Sequence, residues 1–175
     1  MKTLSVPLLK QSRRLDCGPT ALRMVLLYFG EKYSSKEIIA DVGGIKDYGI
    51  KNIKLADFAR GLGFKVRCYS YNQKLARGRA EIKKPSKSHI LRFLKRRLPV
   101  IIAVRSSLLY NEKHSEEGHF IVVTGYKKGK WEYNDPHDGR KHRINEEDLM
   151  FAWFNNVLDS SAYLLVVEPK KGRRA

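Results

Sequence analysis

Cys17 and His119 are the residues in this chain whose types and surroundings best suit covalent chemistry. Cys17 stands just before an apolar run, Ala21 to Phe29, which predicts a thiol at the start of a buried helix. Backbone N–H groups at a helix N-terminus carry partial positive charge and favour a thiolate over a thiol. A thiolate within reach of a histidine is a nucleophile, and we therefore predict that role for Cys17.

Among the five histidines, His119 is the best candidate for the base. It begins an apolar run typical of a core strand, which would hold its ring rigidly at the edge of a cleft. Asp135 ends the next predicted strand, and its carboxylate could accept the imidazole N–H and fix the tautomer of the ring. A strict two-residue turn would put the two side chains on opposite faces of the hairpin. A three-residue turn or a β-bulge would put them on the same face, and the sequence leaves this choice open.

Three segments resemble, in the same order, the papain-like peptidases that process bacteriocin precursors at a double-glycine site. The segments are Gln11 with Asp16-Cys17-Gly18-Pro19, then Gly118 to Tyr126, then Asn134-Asp135-Pro136. A further stretch, from Asp47 to Phe64, resembles the helix that lies between nucleophile and base in that family. The resemblance covers roughly the whole chain between Pro7 and Val167.

This resemblance implies a papain-like fold and four site residues. Cys17 would be the nucleophile, His119 the base and Asp135 its partner. The side-chain amide of Gln11 would join the backbone N–H of Cys17 in the oxyanion hole, where one donor contributes about 2.7–4 kcal/mol to transition-state stabilisation. The substrate would be a precursor or leader peptide, cut after a small-residue pair such as Gly-Gly. Many relatives are the front end of an export transporter, and we expect this chain to be a free-standing version.

The predicted elements run from helices to strands, which is typical of an α+β domain. We predict helices over residues 18–29, from 34, over 52–62 and 86–97, and from 145, and strands over 64–71, 98–104, 118–126, 131–134 and 162–167. Residues 72–85 and 106–117 are predicted to be polar loops. We expect residues 1–168 to form one domain and residues 169–175 a basic tail.

The composition is that of an ordinary globular protein. A chain of 175 residues with 42% hydrophobic content can bury a proper core. Two cysteines do not form a disulfide scaffold, so a reducing compartment is expected, with Cys68 as a core residue. The sequence contains neither a signal peptide nor an apolar run of the ~20 residues that a membrane helix needs. We therefore expect a cytoplasmic protein without a membrane span.

Charge is the unusual property of this chain. It carries 35 basic and 18 acidic residues, a net charge of +17. The segment Lys74–Arg97 alone holds ten basic residues and one acid, Glu81. Such a segment is most often a solvated face, and the alternative is a binding surface for an acidic partner.

Other functions remain open on the sequence alone. The same Cys-His-Asp set could transfer an acyl group to an amine, as an acyltransferase or amidase does. A non-enzymatic adaptor could bind nucleic acid or another anionic partner, although no aromatic-and-basic recognition motif is present. The grouping of Asp135, His137, Asp138 and His142 lacks the second paired motif of a metal site. We therefore predict no metal and no cofactor.

Overall fold

The computed structural model describes residues 2–170, and its helices surround one mainly antiparallel sheet. The helices of this part of the chain are α1 (Cys17–Tyr28), α2 (Ser35–Asp41), α3 (Asn52–Gly61), α4 (Gln73–Ala76), α5 (Lys87–Lys95), α6 (Ser106–Tyr110) and α7 (Glu146–Phe154). The strands are β1 (Lys65–Ser70), β2 (Glu81–Ile82), β3 (Val100–Arg105), β4 (Gly118–Lys127), β5 (Lys130–Asp135), β6 (Arg140–Asn145) and β7 (Leu164–Glu168). Three helices come first and most strands follow, so the predicted α+β class is confirmed.

Helix α1 is the buried helix of the N-terminal half. Its sequence is apolar on nearly every side, and Leu22, Met24 and Leu26 are completely shielded from solvent. It packs against β4 on one side and against α2 and α3 on others. Helix α2 begins with the predicted capping box, in which Ser34 and Glu37 each bond to the other's backbone N–H.

The sheet has the strand order β2-β1-β7-β3-β4-β5-β6. The two edge strands, β2 and β6, are largely exposed, whereas β3 and β7 at the centre are buried. Neighbouring strands run antiparallel except β1 and β2. Helix α3 packs on β1 and β7, and α7 packs on β3, so the sheet centre forms the core that holds the end of β4 in place.

The hairpin of β4 and β5 links His119 to Asp135 through a two-residue turn. Lys128 and Gly129 form this turn with φ angles of 51° and 72°. Two-residue hairpin turns require positive φ, which glycine adopts without steric cost. In a regular ladder this turn would put His119 and Asp135 on opposite faces.

A β-bulge in β4 restores the shared face. The register shifts between Val123 and Gly125, so that Val122 pairs with Asn134. Asp135 therefore falls opposite residue 121, two positions from His119 and on the same face of the sheet. Of the alternatives that the sequence left open, the structure has the two-residue turn together with a bulge.

Three short elements lie where the sequence predicted loops, and a fourth, β6, lies where no element was predicted. Helix α4 and strand β2 lie within residues 72–85, α6 lies within 106–117, and β6 follows Asp135. These loop predictions were wrong because the elements are short, and the two strands among them, β2 and β6, lie at the sheet edges with largely exposed side chains. Such segments lack the apolar periodicity from which longer elements are predicted.

Over residues 2–170, no helix combines the length and the apolar character needed to cross a membrane. The predicted basic tail, residues 169–175, falls mostly beyond the described chain: residues 171–175 lie outside the described residues.

Candidate active site

A cleft of about 730 Å³ contains three of the four predicted site residues, Gln11, Cys17 and His119. Its walls are formed by the segment before α1, the loop before α3, helix α6 and the loop before β4. An ion pair between Arg14 and Glu117 joins the segment before Cys17 to the loop before His119. The cleft thus lies between the helical part of the molecule and the sheet.

Cys17 is the first residue of α1, and its side chain is 9% exposed. The next residue, Gly18, allows α1 to approach the sheet closely. A Cβ atom at this position would lie 3.1 Å from Leu55 and 3.2 Å from Phe120, the neighbour of His119. The absence of a side chain at Gly18 therefore helps to bring the sulfur of Cys17 to the ring of His119.

The buried ring of His119 lies between Cys17 and Asp135. Its Nε2 atom is 2.8 Å from Oδ1 of Asp135, and Cys17 lies near enough to the same ring to affect its charge. Burial alone would lower the pKa of His119, but the bonds to Asp135 and Cys17 raise it to about 9. An imidazolium at neutral pH is the partner that stabilises a thiolate.

Asp135 is the most heavily bonded side chain of the site. Its Oδ1 atom accepts from the backbone N–H of His137 as well as contacting His119, and its Oδ2 atom accepts from the hydroxyl of Tyr110 at 2.8 Å. Burial would raise the pKa of Asp135, but the hydrogen bonds, of which that from His119 is the strongest, hold it below its ordinary value. Asp135 is therefore a carboxylate.

Tyr110 is a site residue that sequence reasoning missed. Its hydroxyl donates to Asp135, and its ring centroid lies 5.8 Å from that of His119. Burial raises the pKa of Tyr110, so its hydroxyl stays protonated and remains a donor. Tyr110 ends the short helix α6, in a segment predicted to be a loop. Only the apolar pair Leu108-Leu109 before it indicated that the segment packs against the core.

Gln11 lines the cleft, but its amide is already engaged. Its backbone N–H donates to the carbonyl of Pro136, next to Asp135. Its side-chain Nε2 donates to the carbonyls of Arg13 and Arg14, at 2.8 and 2.9 Å. Its Oε1 atom is buried without a hydrogen-bond partner among the described residues. The structure thus brings Gln11 to the cleft with its side-chain amide directed at the loop that follows it, before α1.

The second cysteine takes no part in the cleft. Cys68 lies in β1, and burial raises the pKa of its thiol to about 12. Its prediction as a core residue is confirmed. Neither cysteine forms a disulfide.

The polar residues that follow Asp135 do not converge on one point. His142 pairs with Asp138 at 2.9 Å, whereas Asp135 faces His119. Within residues 2–170, no group of three or more His, Cys, Asp or Glu side chains is placed to hold a metal ion.

The basic segment is only partly neutralised by acids. Four of its residues form ion pairs: Arg79 with Asp57, Lys83 with Glu81, Lys87 with Glu146 and Arg96 with Glu168. A fifth, Arg92, donates to the hydroxyl of Tyr69. We use the term basic surface for the five other residues, which are exposed and whose side chains form neither an ion pair nor a hydrogen bond with any described residue: Lys74, Arg77, Lys84, Lys95 and Arg97.

Comparison with sequence families gives one match over most of the chain. Residues 3–160 match a family described as "Peptidase_C39 like family". No curated protein matches the chain significantly.

Several crystal structures share this architecture. A Bacillus anthracis protein assigned to the C39-like peptidases has a TM-score of 0.72 at 17% identity, covering 98% of this chain and 100% of its own. A double-glycine motif protease from an AMS/PCAT transporter, in complex with the leader peptide, has a TM-score of 0.61 at 23% identity, covering 96% and 94%. The peptidase domain of Streptococcus ComA, a bifunctional ABC transporter involved in quorum sensing, has a TM-score of 0.61 at 19% identity, covering 94% and 99%. At these identities the similarity establishes a shared fold.

Proposed function

The chain belongs to the peptidase C39-like family and is a papain-like cysteine peptidase, and we propose that it cleaves a precursor or leader peptide through Cys17, His119 and Asp135. The observation that carries this proposal is that Cys17 and His119 share one cleft, with His119 hydrogen-bonded to Asp135 and its charge favoured by both neighbours. A peptidase of the same fold was crystallised with its leader peptide, which supports a peptide cut after a small-residue pair such as Gly-Gly.

The first half of the reaction forms an acyl-enzyme. The thiolate of Cys17 attacks the carbonyl carbon of the scissile bond. The tetrahedral intermediate collapses and its C–N bond breaks. The imidazolium of His119 gives its proton to the departing amine, which leaves as a neutral peptide.

The second half releases the acyl group. A water molecule attacks the thioester carbonyl while the neutral imidazole of His119 accepts a proton from it. The C–S bond breaks, the carboxylic acid product leaves, and the thiolate–imidazolium pair is restored. Asp135, held by Tyr110, keeps the ring oriented in both halves.

We propose that the oxyanion is held by the backbone N–H of Cys17 and the side-chain amide of Gln11. The first N–H groups of a helix have no intrahelical partner, and that of Cys17 lies in the first turn of α1. Gln11 lines the same cleft, and it must exchange the carbonyls of Arg13 and Arg14 for the substrate oxygen.

The partner that suits the basic surface is an acidic segment of the substrate or of a second protein. Five exposed cations without acidic partners attract anions at long range. Two free cysteines, one of them the proposed nucleophile, suit the reducing conditions of the cytoplasm. The family match and the central position of β7 in the sheet support one peptidase domain over residues 1–168.

Incubation with synthetic peptides that contain a Gly-Gly pair, followed by mass analysis of the products, tests this proposal. We expect cleavage after the pair by the wild type and by Cys68→Ala, and none by Cys17→Ala. Gln11→Ala should lower kcat by about 100- to 1000-fold, as the loss of one oxyanion donor does elsewhere. Cleavage that survives Cys17→Ala would refute the proposal. An amide product that forms when amines are added would identify a transferase instead.

A further inference from the structure

A second cavity, of about 230 Å³, opens beside His119, and we infer that it is a specificity pocket for a small substrate side chain that carries a hydroxyl or an amide. The cavity shares Gly118, His119 and Phe120 with the catalytic cleft. A peptide bound across Cys17 therefore passes its mouth. This inference rests on the proposed peptidase function and adds to it the class of residue next to the cleaved bond.

Asn52 supplies the main argument. It is the first residue of α3, it lines the cavity, and it is only 2% exposed. Its Nδ2 atom is buried without a hydrogen-bond partner among the described residues. The amide does not cap the helix either, because the cap residue is Lys51. Since proteins rarely leave a buried amide unpaired, one beside an active site is a candidate contact for a ligand.

Three more buried polar residues line the same cavity: Asn156, Ser160 and Ser161. The side-chain amide of Asn156 donates to the hydroxyl of Ser160 at 2.8 Å, and that hydroxyl donates to the backbone carbonyl of Asn156 at 2.9 Å. Ser161 accepts from the backbone N–H of Ile53 at 3.5 Å, so its own proton remains to be donated. The donors that remain for a ligand thus include the amide of Asn52 and the hydroxyl of Ser161.

The charges around the cavity favour a neutral occupant. Asp159 lines it, but its carboxylate is paired with Arg105 at 2.5 Å. Arg105 also donates to the carbonyls of Glu116 and Asn155, which ties the two sides of the rim together. His119 directs its charge to Asp135, and the other charged residues of the lining, Lys51 and Glu116, are of opposite sign.

The rest of the wall is apolar, and it suits a short side chain with a methyl or methylene group. It comprises Ile50, Leu75, Ala103 and Phe120. Serine, threonine and asparagine would fill such a pocket and bond to its amide and hydroxyl. Glycine would leave both groups unpaired. Because the small-residue pair precedes the cleaved bond, we infer that the pocket takes a side chain that follows this bond.

Cleavage of peptide pairs of matched shape tests this inference. The Gly-Gly pair is kept, the first two positions after the cleaved bond are varied in turn as Ser or Ala, Thr or Val, and Asn or Leu, and kcat/KM is measured for each peptide. We expect one position at which the polar member is preferred by about 10-fold, as for a hydrogen bond that its isostere cannot make. Asn52→Leu should abolish this preference, so that the polar and apolar peptides are cut at about the same rate, while the Val peptide is still cut.

Two further variants make the result decisive. Ser161→Ala removes one hydroxyl without a change of shape and should also weaken the preference. Thr124→Val, a buried hydroxyl of β4 outside the cavity, should leave the preference unchanged. If thermal denaturation shows that Asn52→Leu does not fold, Ser161→Ala carries the test.

The possible failures can be told apart. If the wild type cuts no peptide, or if Cys17→Ala cuts as well as the wild type, the proposed function is wrong. If cleavage depends on Cys17 but Thr and Val are cut equally at every position, the pocket has no such role. A preference that persists in both pocket variants would overturn the inference as well.

Discussion

His119 lies between a thiol and a carboxylate, and its protonation state governs the reactivity of the site. The two neighbours outweigh the effect of burial and raise its pKa to about 9. A proton is therefore held on the ring over the neutral range, where it is needed for the leaving amine. Because the pKa is raised above the ordinary 6.5, the resulting stabilisation of the folded state is complete below pH 6.5 and is lost as the pH rises through about 9.

Replacement of Asp135 by asparagine should move the alkaline limb of the pH profile. In the wild type, kcat/KM should fall as the pH rises through about 9, because His119 loses its proton there. Asp135→Asn removes a negative charge that raises the pKa of His119, so the limb should move towards neutral pH. Activity near pH 8 should fall by about 100-fold, within the usual contribution of general acid–base catalysis. The measurement is kcat/KM across the pH range.

Tyr110→Phe is the matched, weaker variant for this prediction. It removes one hydrogen bond to Asp135 and keeps both the carboxylate and the aromatic ring. Activity should fall only several-fold, and in kcat more than in KM, because the bond orients the catalytic groups and does not contact substrate. An alkaline limb that stays in place in Asp135→Asn would show that Asp135 does not control the proton of His119.

The sequence predicted Cys17, His119 and Asp135 from residue type and order, and Gln11 from the family resemblance. The structure brings all four to one region. It did not predict Tyr110 or Asn52, because a tyrosine in a polar segment or an asparagine at a helix start is common and carries no chemical signal alone. The engaged amide of Gln11 could not be foreseen either, because it depends on the local path of the backbone at Arg13 and Arg14.

At the scale of elements, the site depends on how closely α1 packs against β4. The contact passes through Gly18, where an added side chain would meet Leu55 and Phe120. We predict that Gly18→Val pushes the helix from the strand, separates Cys17 from His119 and lowers kcat/KM by at least about 10-fold, because misplacement by about 1 Å can cost 100-fold. Enzyme kinetics together with a thermal denaturation curve checks this.

Gly61→Ala is the matched control for Gly18→Val. Gly61 ends α3, and an added Cβ atom would meet nothing within 4 Å. We expect unchanged kinetics and a gain in stability of about 0.4–1 kcal/mol, because alanine reduces the conformational freedom of the unfolded chain. Full activity in Gly18→Val would mean that close packing at this glycine does not position the thiol.

The long elements were predictable because their apolar periodicity is strong, as in α1 and β4. The shared face of His119 and Asp135 was not predictable, because it depends on one extra residue in β4 that the alternation does not reveal. Strand β6 was missed for a different reason. It lies at a sheet edge with mostly exposed side chains, and its pairing with β5 leaves no mark on its sequence.

At the scale of the whole molecule, the excess of positive charge is the dominant property. The net charge is +17, and the basic surface contributes five exposed cations without ion-pair partners among the described residues. Because added salt screens such charges, KM for a peptide with an acidic segment should rise with ionic strength while kcat stays constant. Steady-state kinetics over a series of salt concentrations provides the measurement.

Charge-reversal variants locate the effect on the molecule. Lys74→Glu with Arg77→Glu should raise KM for the acidic peptide and weaken its dependence on salt. The control is Lys141→Glu with Arg143→Glu on strand β6, the sheet edge opposite to β2, which follows Lys74 and Arg77 in the chain. This pair makes the same change in net charge and should have less effect. Equal effects of the two pairs, or a KM independent of salt, would argue against an acidic partner at the basic surface.

The rate of Cys17 alkylation by iodoacetamide at neutral pH, compared between the wild type and His119→Ala, tests the central claim most directly. Mass spectrometry of the digested protein reports Cys17 and Cys68 separately. If the imidazolium of His119 activates the sulfur of Cys17, Cys17 reacts far faster than the buried Cys68. The rate at Cys17 falls sharply in His119→Ala. Equal rates at Cys17 in the wild type and in His119→Ala would contradict the account.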